Sequence, residues 1–458
     1  MTIPDWAVKF REKGTQITEI DGRYYLYKVR SQWDPRKHRA RKITEGYLGR
    51  ITPDGVKRHD SEGEISVVEF GATDLIMRRC SHIIDALKVY NNWESILVMA
   101  IFRLMHASPL KNIDLYYRTS YVSERIEAKT SPRSLSSLLR GIGHNRETTR
   151  TFLRHFLADQ DIAVIDLTTV FSVSENVISA VPGYDHDEYL PGVRFILLFG
   201  LRRMRPMYYR FVPGSIRDVS TVRMTMKESG IRKVLLIGDK GFYSESNVIN
   251  LESSRINYIL PLKRNSDLID YGPCMGDRSN FSGYFIFEGR PVWYHSSRKG
   301  RRVILFLDES LRLDEEKDML LRENGRETFQ EKQFLLGTIA VVTDLERSEK
   351  EVYELLKQRS SVEQAFDTFK NVLEADRTYM RDDYALEGWF LVNFVSLLMY
   401  YEIYNIIREH DMLSKYSPMD VLTHMSRIQK LKIRNKWVTS EIPKKTRLIK
   451  EKMEQHIT

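Results

Sequence analysis

The sequence predicts an α/β protein with a mixed-sheet core, preceded by a small basic strand-rich module and an all-α region. Three observations predict it: a strand–helix–strand rhythm beyond residue 160, helical periodicity between about 74 and 160, and aromatic/polar alternation before residue 58. The chain of 458 residues, 42% of them apolar, is long enough for two or three domains with a large core. Its two cysteines, Cys80 and Cys274, lie far apart without Cys/His spacing, which fits a reducing compartment and argues against zinc. The opening "MTIPDWAVKFREKG" lacks the apolar run of a secretory signal, so a cytoplasmic protein is expected.

Residues 22–58 alternate aromatic or apolar with polar positions around a charged centre, and "TPDG" signals a turn. A basic module over residues 1–73 is expected. Between residues 23 and 58 stand eleven Lys or Arg against Asp34, Glu45 and Asp54, and from 427 to 450 nine Lys or Arg face only Glu441. With a formal charge of +9, these two clusters point to a polyanion partner, because neutralised phosphates release counterions.

From 74 to 158, stretches such as "SHIIDALKVYNNWESILVMAIFRLM" and "SPRSLSSLLRGIGHNRETTRTFLRHFLADQ" carry helical periodicity, with helix starts at Ser131-Pro132 and Ser134. This segment is expected to be a separate all-α domain, to which the resemblance described below gives a role in DNA binding and assembly. A core domain follows over residues 159–410. "IAVIDLTTVF" is a buried strand with Asp166 at its middle, and "VRFILLFG" and "RPMYYRFVPG" are its hairpin neighbours. A helix in "VSTVRMTMKES" leads to the strand of "KVLLIGDKGFYSES", where Asp239 follows the apolar run, so both acids fall near one end of a sheet.

From about 268 to 345 the text turns strand-like and turn-rich with one charged helical piece, and is expected to be a β-rich insertion. "GTIAVVTDL" returns as a strand and residues 348–372 as a long helix. The run 388–407 approaches the length of a membrane span, but Asn393, Glu402 and Asn405 interrupt it, so a buried core helix is expected and no membrane. Residues 411–458 close the chain as a basic tail.

Within "KQRSSVEQAFDTFK", Arg359, Glu363 and Lys370 fall within roughly 40° of one another at about 100° per residue, one acid bracketed by two bases. Taken alone, such a stripe is ordinarily a surface ion-pair ladder. Asp166 in a buried strand demands a partner, and a buried salt bridge would supply one. The chemical alternative is that Asp166, Asp239 and Glu363 converge on divalent cations, for which hard carboxylate oxygens suit Mg²⁺ or Mn²⁺. Two ions held this way can activate an attacking oxygen and stabilise a leaving one at a phosphodiester, with Arg359 and Lys370 clamping the backbone.

"LIGDKGFYS", the Arg-x3-Glu-x6-Lys spacing at Arg359, Glu363 and Lys370, and "VIDLTTVF" upstream resemble the DDE transposases of prokaryotic insertion sequences. The resemblance is to the group with a Tyr-x2-Arg-x3-Glu-x6-Lys signature. It implies a ribonuclease H-like core, a metal triad of Asp166, Asp239 and Glu363, two divalent cations, and a β-rich insertion before the third acid. It also implies cleavage at terminal inverted repeats of double-stranded DNA, strand transfer to target DNA, and a homodimer in the DNA complex. Lys240 and Tyr243, after the second acid, join Arg359 and Lys370 as candidate DNA contacts. The sequence departs from the signature at Leu356, which occupies the Tyr position, while Tyr353 lies about half a helical turn off the stripe. That departure keeps a catalytically inactive DNA-binding descendant in view, alongside a ribonuclease H-like nuclease without strand transfer.

Overall fold

The computed structural model describes residues 3–34, 39–57, 66–157, 162–185, 188–214, 218–231, 234–238, 240–321, 329, 332–433 and 436–454. They form two units, one of Met1–Val68 with Gln429–Glu441 and one of Glu69–Ile428 with Ile442–Thr458.

In the first unit, α1 (Asp5–Val8) precedes β1 (Thr15–Ile20), β2 (Arg23–Asp34), β3 (Arg39–Thr52) and β4 (Gly55–Lys57), an antiparallel sheet in that order. Asp21 and Gly22, both at positive φ (51° and 71°), make the two-residue hairpin turn that matches strand twist between Ile20 and Arg23. Thr52 pairs with Gly55 across the expected "TPDG" turn. Alternation puts Ile17, Leu26 and Ile51 into a small core with Ala7, whereas Arg39, Arg41 and Lys42 lie where both faces of β3 are exposed. β5 (Ser66–Glu69) belongs to a second sheet with β17 (Gln429–Ile433) and β18 (Lys436–Thr439), in the order β18-β17-β5.

The second unit opens with helices α2 (Gly71–Arg79), α3 (Ser81–Leu87), α4 (Trp93–His106), α5 (Ile113–Arg118), α6 (Pro132–His144) and α7 (Arg146–Arg154). Ser131 caps α6 by accepting from the Ser134 N–H, with Pro132 in the first turn where a missing N–H costs nothing. The chain then builds a large mixed sheet from β6 (Ala163–Ser172), β7 (Val181–Asp185), β8 (Glu188–Gly200), β9 (Arg205–Pro213), β10 (Val234–Ile237), β11 (Asn257–Pro261), β12 (Gly283–Phe287), β13 (Arg290–Lys299), β14 (Arg301–Asp308), β15 (Thr338–Thr343) and β16 (Arg377–Thr378). Its order is β12-β13-β14-β15-β11-β10-β6-β8-β7, with β9 on β8 and β16 on β6. β6, β10 and β11 run parallel, joined through α8 (Asp218–Ser229) and α9 (Glu245–Ser253), while the flanking pairs are antiparallel. The strands of the turn-rich segment extend this same sheet: β12–β14 continue antiparallel from β15.

After α10 (Glu309–Leu320) and β15 come α11 (Glu349–Asp367), α12 (Asp383–Glu409), α13 (Pro418–Met425) and α14 (Lys444–Glu454). Residues 411–458 are thus divided: α13 and α14 lie in the second unit, and the β17–β18 hairpin in the first. α12, 27 residues long and apolar enough to cross a membrane, has 72% of its most apolar window buried and packs on α4, α6 and β9. Each polar residue that interrupts it has a partner. Asn393 Oδ1 accepts from Arg103 Nε at 3.1 Å, Glu402 lies 3.1 Å from His82 Nε2, and Asn405 Nδ2 donates to the Arg203 carbonyl at 3.0 Å. Phe390 of α12 stacks on Phe195 of β8, with ring centroids 5.0 Å apart, fastening the helix to the sheet.

Candidate active site

β6 is central, with β8 on one side and β10 on the other, so its residues are apolar wherever both faces are covered. Ala163, Val164 and Ile165 are buried, and Asp166, the next residue, retains only 15% side-chain exposure. Its Oδ1 accepts from the Leu167 N–H at 2.9 Å. The parallel register pairs Val234 with Ala163, Leu235 with Val164 and Leu236 with Ile165, which brings the C-terminal end of β10 alongside Asp166. Gly238 follows that strand. A Cβ there would stand 2.7 Å from Leu260 Cδ2 and 3.0 Å from Phe242 Cβ, so a side chain at this position would have to push the Leu260 methyl aside. Asp239, the second expected acid, lies outside the described residues.

α11 starts at a capping box in which Ser348 and Glu351 satisfy each other's backbone N–H groups. Those bonds, led by the Ser348 hydroxyl, hold the Glu351 carboxyl below the usual range. Val352, Leu355, Val362 and Phe366 form the buried stripe, and Arg359 occupies the position that this 3/4 spacing assigns to the core. A cation entering the helix–sheet interface needs an acid there, and it finds two. Arg359 Nη2 stands 3.7 Å from Asp166 Oδ2 and 3.4 Å from Glu363 Oε1. Glu363, one residue past Val362, keeps 56% side-chain exposure and faces out of the interface. Two of the expected acids therefore flank one guanidinium nitrogen.

Lys370 does not continue the α-helical stripe. The α-helix ends at Asp367 and residues Thr368–Val372 form a π turn, whose wider winding changes Lys370's bearing from the one that 100° spacing gives. Lys240 is exposed. Tyr243 packs its ring against the core, and its hydroxyl donates to Glu245 Oε2 at 3.4 Å; burial, then Glu245, pushes that phenol up.

At the signature's Tyr position, Leu356 is half-buried against the core. Tyr353 is fully buried among Phe285, Phe287 and Phe306 and donates to Asp308 Oδ2 at 2.6 Å, so it cannot serve in place of the missing tyrosine. This contact belongs to a network that sequence reasoning missed. Buried Asp308 caps α10 through the Ser310 and Leu311 N–H groups and accepts from Arg290 Nε at 3.1 Å, with Lys357 Nζ 4.0 Å away. Burial would raise the Asp308 pKa, but the Tyr353 hydroxyl, the backbone N–H and the two cations outweigh it and hold the carboxyl below its usual range. The one local signal was an Asp at the start of the charged helical piece, an N-cap pattern.

A family model described as "Transposase DDE domain" matches residues 157–399, more than half of the chain and the whole interval that holds these acids. The chain belongs to this family. No curated protein matches this DDE transposase. Among solved structures it is similar to a piggyBac transposase synaptic complex with hairpin DNA, at 10% identity over 83% of this chain and 79% of that one, with TM-score 0.37. It is also similar to a Mos1 transposase paired-end complex with the left transposon end, at 13% identity over 37% of this chain and 58% of that one, with TM-score 0.15. DDE transposases cleave DNA and transfer strands with the help of divalent metal ions.

The donor set suits such an ion. Asp166 and Glu363 offer the hard carboxylate oxygens that divalent cations take, on either side of the Arg359 guanidinium whose positive charge lies between them. Among the described residues no three His, Cys, Asp or Glu side chains gather at ligating range, and Asp239 is not among those residues.

Proposed function

We propose that this DDE transposase holds two divalent cations, Mg²⁺ or Mn²⁺, through Asp166, Asp239 and Glu363 of a ribonuclease H-like core. It cuts double-stranded DNA at the terminal inverted repeats of its own element and joins the freed 3′-hydroxyls to target DNA. The observation that carries this reading is the Arg359 guanidinium between Asp166 and Glu363, which favours two carboxylates gathered around a cationic point. Bound divalent ions supply Lewis-acid activation of the attacking oxygen and charge stabilisation at the leaving one.

The chain's own residues do the rest. Asp166 is fixed by the sheet and by its bond to the Leu167 N–H, so its oxygens are held in place before substrate arrives. Glu363, on the exposed side of α11, is accessible to a DNA strand. Arg359 holds the two acids together without substrate and turns its guanidinium to a phosphodiester when DNA occupies the site. Lys370, Lys240 and Tyr243 are further contacts to the DNA.

In this reading residues 1–73 and 74–158 recognise element ends and support assembly, 159–410 carry the chemistry with an insertion at about 268–345, and 411–458 add basic contacts. Cutting two ends calls for two active sites, hence a homodimer in the DNA complex, acting in the cytoplasm. The test is cleavage, with Mg²⁺ or Mn²⁺, of a duplex carrying the DNA that borders the reading frame. Nicks at the repeat ends, lost in Asp239→Ala and Glu363→Gln, are the expected result. Precut ends that never join would leave a nuclease. Binding without any cutting would leave an inactive descendant, the reading that Leu356 favours.

A further inference from the structure

The helical region contains a cleft with no part in the chemistry above. The loop before α4, the first three turns of α6 and the start of α7 enclose about 610 Å³. No Asp or Glu lines this space, whereas Lys129 and Arg133 both do. Both are exposed, and among the described residues neither pairs with a carboxylate. Neighbouring cations differ: Arg140 lies 2.8 Å from Asp382, Arg150 2.7 Å from Glu147, and Arg146 is held by Glu228 and Glu387. Glu127, two residues before Lys129, Glu94 in α4 and Glu147 in α7 all stand outside the lining. Lys129 and Arg133 face the cleft without such a partner, among hydroxyl and amide groups such as Ser137 and Asn145.

Gly141 gives a second, independent indication. It sits inside α6, where glycine weakens a helix, yet a Cβ there would meet nothing within 4 Å. Internal packing therefore gives no reason for glycine at this position. Two residues on, Gly143 does have one, since a Cβ there would stand 2.1 Å from the Tyr384 carbonyl oxygen. Gly141 instead lines the cleft, where a bare backbone lets an external chain approach closely.

We infer that this cleft seats a phosphodiester segment of duplex DNA, with Lys129 and Arg133 neutralising phosphates and Gly141 admitting the strand to the helix surface. The inference rests on the transposase reading for the identity of the polyanion, and it adds a DNA contact separate from the candidate acids.

The test uses the full chain in EDTA, where no cutting intervenes, and a fluorescein-labelled duplex of arbitrary sequence, with anisotropy followed across salt concentrations. Lys129→Gln with Arg133→Gln is expected to weaken binding and to make the slope of log K against log salt shallower by about 0.9 for each phosphate no longer neutralised. Gly141→Leu is expected to weaken binding while leaving the thermal midpoint unchanged or higher, because leucine is the better helix former. Unchanged affinity and slope in both variants would overturn the inference. So would inorganic phosphate, at matched ionic strength, displacing the duplex from the wild type but not from the cation variant, which would mark a small-anion site. If Glu363→Gln stops metal-dependent cutting while the cleft variants bind like wild type, the cleft alone fails. If the cleft variants bind weakly and the wild type never cuts, the cleft stands and the catalytic reading falls.

Discussion

Arg359 reaches out of the buried stripe of α11 to place its Nη2 atom 3.7 Å from Oδ2 of Asp166, on the central strand of the sheet. A helix and a strand nearly two hundred residues apart in sequence are thereby tied at the point where the family's chemistry is expected. The pairing answers two problems at once: a cation on a core-facing helix position and an acid in a buried strand. Glu363 completes the group from the exposed side.

Replacing Arg359 with Gln should therefore act on stability as well as on DNA. In EDTA the half-buried Asp166 loses its cationic neighbour, and the urea midpoint should fall by the equivalent of about 1–2 kcal/mol. Millimolar Mg²⁺ should restore much of that loss in the variant and shift the wild type less, because the metal replaces the missing charge. Equal Mg²⁺ shifts in both proteins would count against a shared cation position.

Glu363→Gln tests the chemistry with little disturbance of the fold. More than half of this side chain is exposed, so the change in stability should stay within about 0.5 kcal/mol. Metal-dependent cleavage should nevertheless drop to background. Paired thermal unfolding and cleavage assays separate the two, and full retention of cutting would exclude Glu363 from the site.

Gly238→Ala places a methyl 2.7 Å from Leu260 Cδ2, at the end of β10 just before Asp239. Overpacking of this kind costs about 1–3 kcal/mol through shifted side chains and backbone. Cleavage should suffer more than the measured stability accounts for, because the displaced segment leads straight into the second acid. The comparison is between residual activity per folded molecule and the urea midpoint.

Tyr353→Phe removes the hydroxyl that lies 2.6 Å from buried Asp308. The loss should cost about 1–3 kcal/mol at neutral pH, since the carboxylate stays buried with one partner fewer. Because Asp308 is held below its usual range, it contributes stability above its unfolded-state pKa, and that contribution disappears as pH falls through the folded value. Without the tyrosine the folded value rises toward the unfolded one, so the variant should lose less stability on acidification than wild type, its loss should end at higher pH, and the gap between the two proteins should narrow as pH falls. Urea midpoints between roughly pH 3 and pH 6 read this directly.

What the sequence determined by itself was local. Alternation in β2, the apolar run ending at Asp166, the Ser131-Pro132 helix start and the 3/4 spacing of α11 each arise from contacts within a few residues, so periodicity and capping disclose them. The polar residues of α12 likewise marked it as a core helix, although the partners that satisfy Asn393, Glu402 and Asn405 come from distant segments. Only tertiary structure decided that β12–β14 extend the main sheet, because strand pairing carries no record of which edge accepts it. It also decided that Tyr353 is spent on Asp308, that a π turn redirects Lys370, and that Arg359 meets Asp166. Such relationships depend on burial and long-range register. A residue's type states which partner it needs, and only the folded chain states which partner it meets.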